Sequence, residues 1–377
     1  MTSRYAGYMG KVMAVDLSTE TVTEYPWSDA QRERYLGGKI MAARILCDHL
    51  TGKEAPFSDK NWIVISTGPL TGSQLPRLGT AGLVRAMQAQ GLLSTRNYSA
   101  GQFNDYELIS GEYLSEKYNI TNKGCLTCPI RCARTVSVQG KAVKGPELEA
   151  LGLLSSNICN NDLKKVLEWN YLLDELGMDT ISAANTIAYA MEASERGLWD
   201  NGLKFGSTDD LAALFEDIAY RRGIGNELAE GSRRLSETYG GREFAMHSKG
   251  LELAAYEPRQ AVGQGLGYAV SNRGGCHLNG GYLVIMEGLG LNMDSQTPKA
   301  KADLTMLFQD LMETISASGQ CLFTSYAFFP AFLLTNPKGI IAKTVNAAPP
   351  TSAVLSGLSI SIPACSHCTC RYSITRK

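Results

Sequence analysis

The stretch Asn161-Asp-Leu-Lys-Lys-Val-Leu-Glu-Trp-Asn-Tyr-Leu-Leu-Asp-Glu-Leu-Gly-Met-Asp-Thr180 decides the fold class. Its apolar residues recur at three- and four-residue intervals, the spacing that gathers them on one side of a helix. Asn161-Asp162 opens the segment with side chains suited to accept the first orphan backbone N–H groups. Gly177 closes it, glycine being the residue that most readily turns left-handed at a helix end. The reading predicts a helix over 162–176. Amphipathic stretches recur near 81–90, 147–155, 181–196, 208–222, 225–238 and 301–317, separated by glycine or polar breaks. From Thr80 onward the chain reads as a mostly α body.

Before Thr80 the character differs. Gly10-Lys-Val-Met-Ala-Val-Asp-Leu17 and Thr21-Val-Thr-Glu-Tyr25 are β-rich runs around a polar turn, which predicts a hairpin. A helix follows from Ser28 to Tyr35, Gly37-Gly38 breaks it, and helical spacing resumes over 40–50. Trp62-Ile-Val-Ile-Ser66 reads as a buried strand. It leads into Thr67-Gly-Pro-Leu-Thr-Gly-Ser73, either a plain turn or a loop whose backbone amides approach an anion. Residues 348–377 differ in composition from all that precedes them. Cys365, His367, Cys368 and Cys370 there are either zinc ligands or part of a poorly ordered terminus. The expected division is 1–79, 80–347 and this tail.

With 377 residues, 44% hydrophobic and 19% charged, the chain suffices for two or three cores. A formal net charge of −1 supplies no field for polyanions, so neither nucleic acid nor an anionic membrane surface is expected as partner. No stretch is long and apolar enough to span a bilayer, and the opening residues lack a signal core. The expected compartment is the cytoplasm, where reducing conditions leave ten cysteines available to metals rather than disulfides.

Cys125-Leu-Thr-Cys128-Pro-Ile-Arg-Cys132 crowds three thiols into eight residues. Such a run can wrap three corners of a 4Fe–4S cluster while a distant cysteine closes the fourth, and Cys321 is the candidate. Structural zinc is the main alternative, although it usually takes two separated pairs. Cysteines close together by chance are the other. Arg131 and Arg134 flank the triple, as stabilisers of a reduced cluster or as solvated charges.

Taken in order, Gly10-Lys-Val-Met-Ala-Val-Asp-Leu, Tyr35-Leu-Gly-Gly-Lys, Thr67-Gly-Pro-Leu-Thr-Gly, Thr95-Arg-Asn, Ile109-Ser-Gly-Glu, the cysteine triple, Gly145-Pro-Glu-Leu-Glu, Asn161-Asp-Leu, Asp174-Glu-Leu-Gly-Met-Asp-Thr and Ser271-Asn-Arg-Gly-Gly-Cys-His277 resemble the aldehyde:ferredoxin oxidoreductase family of tungsten or molybdenum enzymes. The resemblance implies an α+β fold, predominantly α-helical, with the remnant of an N-terminal β-sheet domain followed by helical domains. It implies a tungsten (or molybdenum) bis-pterin beside a 4Fe–4S cluster. The cluster would be held by Cys125, Cys128, Cys132 and Cys321. Asp174, Gly177, Asp179 and Thr180 would contact a pterin; Arg77, after a proline, is either a contact to a pterin phosphate or a solvated loop charge. His277 and Glu147 or Glu149 would lie near an aldehyde substrate, to orient a carbonyl or accept a proton. Ferredoxin or a similar carrier would take the electrons, with a homodimer or electron-transfer subunits as further partners.

Two departures from the family pattern bear on activity. The chain passes from Leu75-Pro-Arg77 directly into Gly79-Thr-Ala-Gly, a passage expected only after a large pterin-binding β domain has closed. Ser316 stands where an aspartate of a second pterin motif is expected. Turnover is therefore expected to be weak or absent, and the alternative function is a catalytically incomplete iron–sulfur electron-transfer protein. Glu252, Glu257 and Arg259 read as scaffold residues engaged in ion pairs.

Overall fold

The computed structural model describes residues 11–323 apart from 36, 52, 55–57, 59, 65, 67–82, 119, 126–131, 290–292 and 320. Arg77, Cys128, Arg131, the loop at 67–73 and the cysteines of the tail lie outside the described residues. The chain forms two units: among described residues one holds 11–66 and 310–323, the other 83–125 and 132–309.

In the first unit, β1 (Val12–Asp16) and β2 (Thr21–Tyr25) pair antiparallel, Val12 opposite Tyr25 and Asp16 opposite Thr21. The Asp16 carboxylate accepts the N–H groups of Ser18 and Thr19 (2.8 and 3.2 Å), so a side chain closes the turn. Helices α1 (Asp29–Tyr35) and α2 (Gly38–His49) follow. Trp27, Met41 and Ile45 form the buried cluster, with Val12, Tyr25, Tyr35 and Val64 packed against it. The strand expected over 62–66 does not form in the described residues of that run, and Ile63 is 87% exposed. No other strand lies beside it among the described residues. Without a neighbour, its backbone has no ladder to satisfy.

The second unit is helical, with small sheets inserted. Helices α3 (Val84–Gln90) and α4 (Gly111–Lys117) lead into a three-stranded antiparallel sheet, β3 (Thr121–Lys123), β4 (Ala133–Val138) and β5 (Lys141–Lys144), in that order. Next come α5 (Leu148–Leu153), α6 (Leu163–Glu175) and α7 (Thr180–Glu195). Alanines and one turn of Ile187, Tyr189 and Met191 bury α7 on every side, so it serves as the central helix. Helix α8 (Leu211–Tyr220) follows.

The single helix expected over 225–238 is two, α9 (Ile224–Leu228) and α10 (Gly231–Tyr239). The buried Glu252 carboxylate takes both the N–H and the O–H of Ser232 (3.0 and 2.9 Å), and this starts α10 afresh. Glu252 lies on β7 (Leu251–Glu252), paired with β6 (His247–Ser248). Helix α11 (Val262–Val270), a π-helical turn at Ile285–Leu289 and α12 (Lys301–Ser318) complete the described chain. Sequence spacing misses α11 because glycines interrupt it. Gly267 is required by packing, since a Cβ there would sit 2.5 Å from the Gly280 carbonyl oxygen.

Three successive residues, Arg96, Asn97 and Tyr98, have φ of 49°, 48° and 58°, a left-handed turn that side chains disfavour. Outside partners hold each one. The Arg96 and Asn97 N–H groups donate to the carbonyls of Ser156 and Asn157 (3.0 and 2.9 Å), and the Tyr98 N–H donates to Asn157 Oδ1 (3.2 Å). The Tyr98 hydroxyl donates to the carbonyls of Leu253 and Ala254. Asn97 Nδ2 donates to Glu192 Oε2 (2.7 Å) and the Phe244 carbonyl (2.9 Å).

Candidate active site

Two elements converge. The first is the start of α5, where Pro146 precedes an extended Glu147 and Glu149 falls in the first turn. The second is the loop leaving α11 at Ser271, which carries Cys276, His277 and Tyr282. Its ends are pinned from inside. Glu287, in the π-helical turn, accepts the N–H groups of Gly263 and Gln264 (2.7 and 2.9 Å) at the N-terminus of α11, and Lys301 Nζ donates to it at 2.5 Å. Side chains of Glu287 and Lys301 are 1% and 3% exposed, and Lys301 also donates to the Asp294 carbonyl at 2.8 Å. Gln264 Oε1 takes the Val284 N–H at 3.1 Å. Buried charge is stable only when paired and hydrogen-bonded, so these groups fix one arrangement of the loop.

That arrangement puts His277 Nε2 3.3 Å from Glu149 Oε1. Tyr256, fully buried, donates its O–H to the same oxygen at 3.1 Å, and the Tyr256 and Tyr282 hydroxyl oxygens lie 2.8 Å apart. The imidazole packs among both phenols, 5.6 Å from the Tyr256 ring and 5.2 Å, edge-on, from that of Tyr282. Burial pushes the His277 pKa below the ordinary 6.5; Glu149 pulls it back up and Arg273 pushes it down. The ring is therefore neutral at pH 7. With Nε2–H donating to the carboxylate, Nδ1 is left as a proton acceptor. Burial, with Glu149 next, holds the Tyr256 and Tyr282 hydroxyls above the ordinary phenol value, so both remain donors.

Of the two glutamates singled out, the structure brings Glu149 to His277. Glu147 forms an exposed pair with Lys144 at 3.7 Å. Sequence reasoning missed Tyr256 and Tyr282 as members of the network. Only the glycines before Tyr282 hinted at a constrained position, and no spacing links residues 149, 256, 277 and 282. Glu257 and Arg259 form a two-point ion pair at 2.7 and 2.8 Å, as scaffold residues would.

Asp174, Gly177, Asp179 and Thr180 occupy the junction of α6 and α7. Asp179 caps α7, its carboxylate accepting the Ser182 N–H at 2.8 Å. Gly177 has φ of +67° and ends α6, with its N–H on the Asp174 carbonyl at 3.2 Å. Nothing lies within 4 Å of where a Cβ would sit on Gly177, and Asp174 and Asp179 are exposed. Cys125 and Cys132 bracket the loop between β3 and β4, whose register sets Lys123 opposite Ala133. An antiparallel pair brings both ends of this cysteine loop together. Cys321 belongs to the other unit. Cys125, Cys132 and Cys321 are thiols, not disulfides. Among the described residues no helix is long and apolar enough to cross a membrane.

Fold and site together define a helix-dominated α+β protein with a buried Glu–His–Tyr network and with Cys125 and Cys132 placed between two paired strands. Residues 58–349 match the family model described as aldehyde ferredoxin oxidoreductase, domains 2 and 3, and the chain belongs to that family. It is 42% identical over 294 residues to the tungsten-containing aldehyde ferredoxin oxidoreductase of Thermococcus kodakarensis, covering 73% of this chain and 48% of that one. The protein of the same name from Pyrococcus abyssi is 44% identical over 313 residues, covering 77% and 51%. The chain thus spans about half the length of the curated relatives it matches. Among solved structures, the active site complex BamBC of benzoyl coenzyme A reductase, in complex with 1,5-dienoyl-CoA, shares the fold. The TM-score is 0.55 at 17% identity, over 85% of this chain and 56% of that one.

Proposed function

We propose that this chain carries the proton-handling and electron-exit residues of an oxidoreductase that converts an aldehyde or related carbonyl to the acid. The observation that supports the reading is the buried His277–Glu149–Tyr256 network in a chain more than 40% identical to tungsten-containing aldehyde ferredoxin oxidoreductases. Among the described residues no three of His, Cys, Asp or Glu gather as a metal site, so the assignment of the family's groups rests on residue type and on the resemblance. Cys125, Cys128, Cys132 and Cys321 would hold a 4Fe–4S cluster. Asp174, Gly177, Asp179, Thr180 and Arg77 would meet a tungsten or molybdenum pterin, for which the open space at Gly177 leaves room. When bound, the pterin metal would supply a two-electron acceptor and the cluster a one-electron exit suited to a ferredoxin-like carrier.

The protein's own part is proton chemistry. An aldehyde and one water become a carboxylic acid, two protons and two electrons. His277 Nδ1 accepts a proton as water adds to the carbonyl carbon. Glu149 holds the imidazole through Nε2 and stabilises the imidazolium that forms, while Tyr256 holds Glu149. Burial of both phenols beside the imidazole keeps bulk water from the network. The reducing cytoplasm fits the thiols.

A second reading, suggested by Ser316 standing where the family pattern expects an aspartate, is a catalytically incomplete iron–sulfur electron-transfer protein. One experiment separates the two. Protein purified anaerobically is analysed for tungsten, molybdenum, iron and pterin, then assayed for aldehyde-dependent reduction of a viologen dye. Tungsten or molybdenum with pterin and turnover support the first reading, and iron alone without turnover supports the second. Cys128→Ser is expected to bleach the brown absorption in either case. Unchanged colour in that variant would remove the cluster assignment.

A further inference from the structure

Tyr282 is held in a conformation its backbone disfavours. Its φ is +53°, in the left-handed region that a bulky aromatic residue seldom enters. Strain of this kind persists only where surrounding contacts over-determine it, and it concentrates where a side chain must be aimed. Both sides of Tyr282 are so determined. On one side Gly280 lies against Gly267 of α11 with no room for a Cβ at either. On the other, Val284 donates its N–H to Gln264 Oε1, and Glu287 is locked to α11 and Lys301. The phenol delivered by this backbone is buried, edge-on to His277 and 2.8 Å from the Tyr256 hydroxyl.

The direction of the hydrogen bonds follows from proton counting. A carboxylate only accepts, so the single O–H proton of Tyr256 goes to Glu149. The bond between the two hydroxyls must then run from Tyr282 to Tyr256. We propose that Tyr282 is a positioning residue whose O–H donation to Tyr256 orders the chain Tyr282, Tyr256, Glu149, His277 and keeps the imidazole proton on Nε2. The inference rests on the role given to His277 above, and it assigns Tyr282 no contact with substrate. Donation by Tyr282 makes the Tyr256 hydroxyl a stronger donor, because hydrogen bonds in a chain polarise one another. A more strongly solvated Glu149 oxygen is in turn a weaker partner for an imidazolium. The charged and titratable groups acting on His277 are Glu149 and Arg273, with Tyr256 and Tyr282 acting through Glu149.

The test uses the full chain without added cofactor, so it does not depend on turnover. The chain has four histidines, and His277→Gln identifies the His277 signals by their loss from nitrogen and carbon NMR spectra. In Tyr282→Phe, which keeps the ring, the proton affinity of His277 is expected to rise about two- to fivefold, as Glu149 loses part of its hydrogen-bonded support. Tyr256→Phe should raise it at least as far. The double variant should shift it no further than Tyr256→Phe alone, because Tyr282 acts through Tyr256. An unchanged titration in Tyr282→Phe, or shifts that add in the double variant, would overturn the proposal. Absence of aldehyde-dependent viologen reduction in the separate assay of anaerobically purified protein, with this titration pattern intact, would count against the proposed function instead.

Discussion

Breaking the buried Glu287–Lys301 pair should cost unequal amounts depending on which partner is removed. In Lys301→Met the Glu287 carboxylate keeps the N–H groups of Gly263 and Gln264 at 2.7 and 2.9 Å, and it stays at the positive end of α11. In Glu287→Gln the buried Lys301 ammonium is left without a charged partner, facing neutral acceptors such as the Asp294 carbonyl at 2.8 Å. Removing one partner of a buried pair costs roughly 3–5 kcal/mol when the other is left uncompensated. The two backbone N–H groups go on offsetting part of the Glu287 charge, so the lysine variant should lose less than that full amount. The full loss of roughly 3–5 kcal/mol is expected for the glutamate variant. The assay is hydrogen exchange of the 262–289 amides across a urea series, which reports this segment rather than the whole two-unit chain. Equal losses, or a greater loss in Lys301→Met, would refute the claim that the helix terminus carries much of the carboxylate's stabilisation.

Further outcomes are expected. Above pH 6.5 His277 is neutral both folded and unfolded; as pH falls below 6.5 the unfolded chain takes up a proton that the folded chain resists, so stability declines down to the folded-state pKa. Urea midpoints between pH 5 and 7.5 should therefore flatten in His277→Gln, with a residual slope from His247, whose pKa burial also lowers. Gly267→Ala should lower the melting temperature sharply, because its methyl meets the Gly280 carbonyl at 2.5 Å, whereas Gly177→Ala meets nothing and should cost only about 1–2 kcal/mol of left-handed strain. Asp179→Asn retains a competent cap for α7 and should keep its melting temperature, while Asp179→Ala loses roughly 0.5–2 kcal/mol. If Asp179 contacts pterin, both variants will be depleted of pterin when the purified proteins are analysed.

Sequence periodicity reached α6 and α7 because each has a capping aspartate and an apolar repeat long enough to read. The β1–β2 hairpin was legible for a similar reason, two β-rich runs about a polar turn. Periodicity failed at α11, whose Gly263, Gly265 and Gly267 pack closely against Glu287, Pro258 and Gly280, and at Trp62–Ser66, whose apolar run has no strand beside it among the described residues. The polar strand β3 gave no alternation to detect. In the site, His277 and Glu149 stood out by residue type, but the choice of Glu149 over Glu147 came from the first turn of α5. Tyr256 and Tyr282 enter through tertiary contacts between distant segments, which local spacing does not encode.

The left-handed turn at Arg96, Asn97 and Tyr98 alters what a shared Thr-Arg-Asn string means when two proteins are compared. Such strings invite interpretation as ligand contacts. Here the three backbones and the Asn97 amide are spent on Ser156, Asn157, Glu192 and Phe244, all within the scaffold. A sequence that keeps the string is therefore constrained to keep a bend in its main chain, whatever reaction it has come to perform. Drift at Arg96, Asn97 and Tyr98 should favour asparagine, aspartate and glycine, which tolerate that bend, even in a descendant that had lost all catalysis.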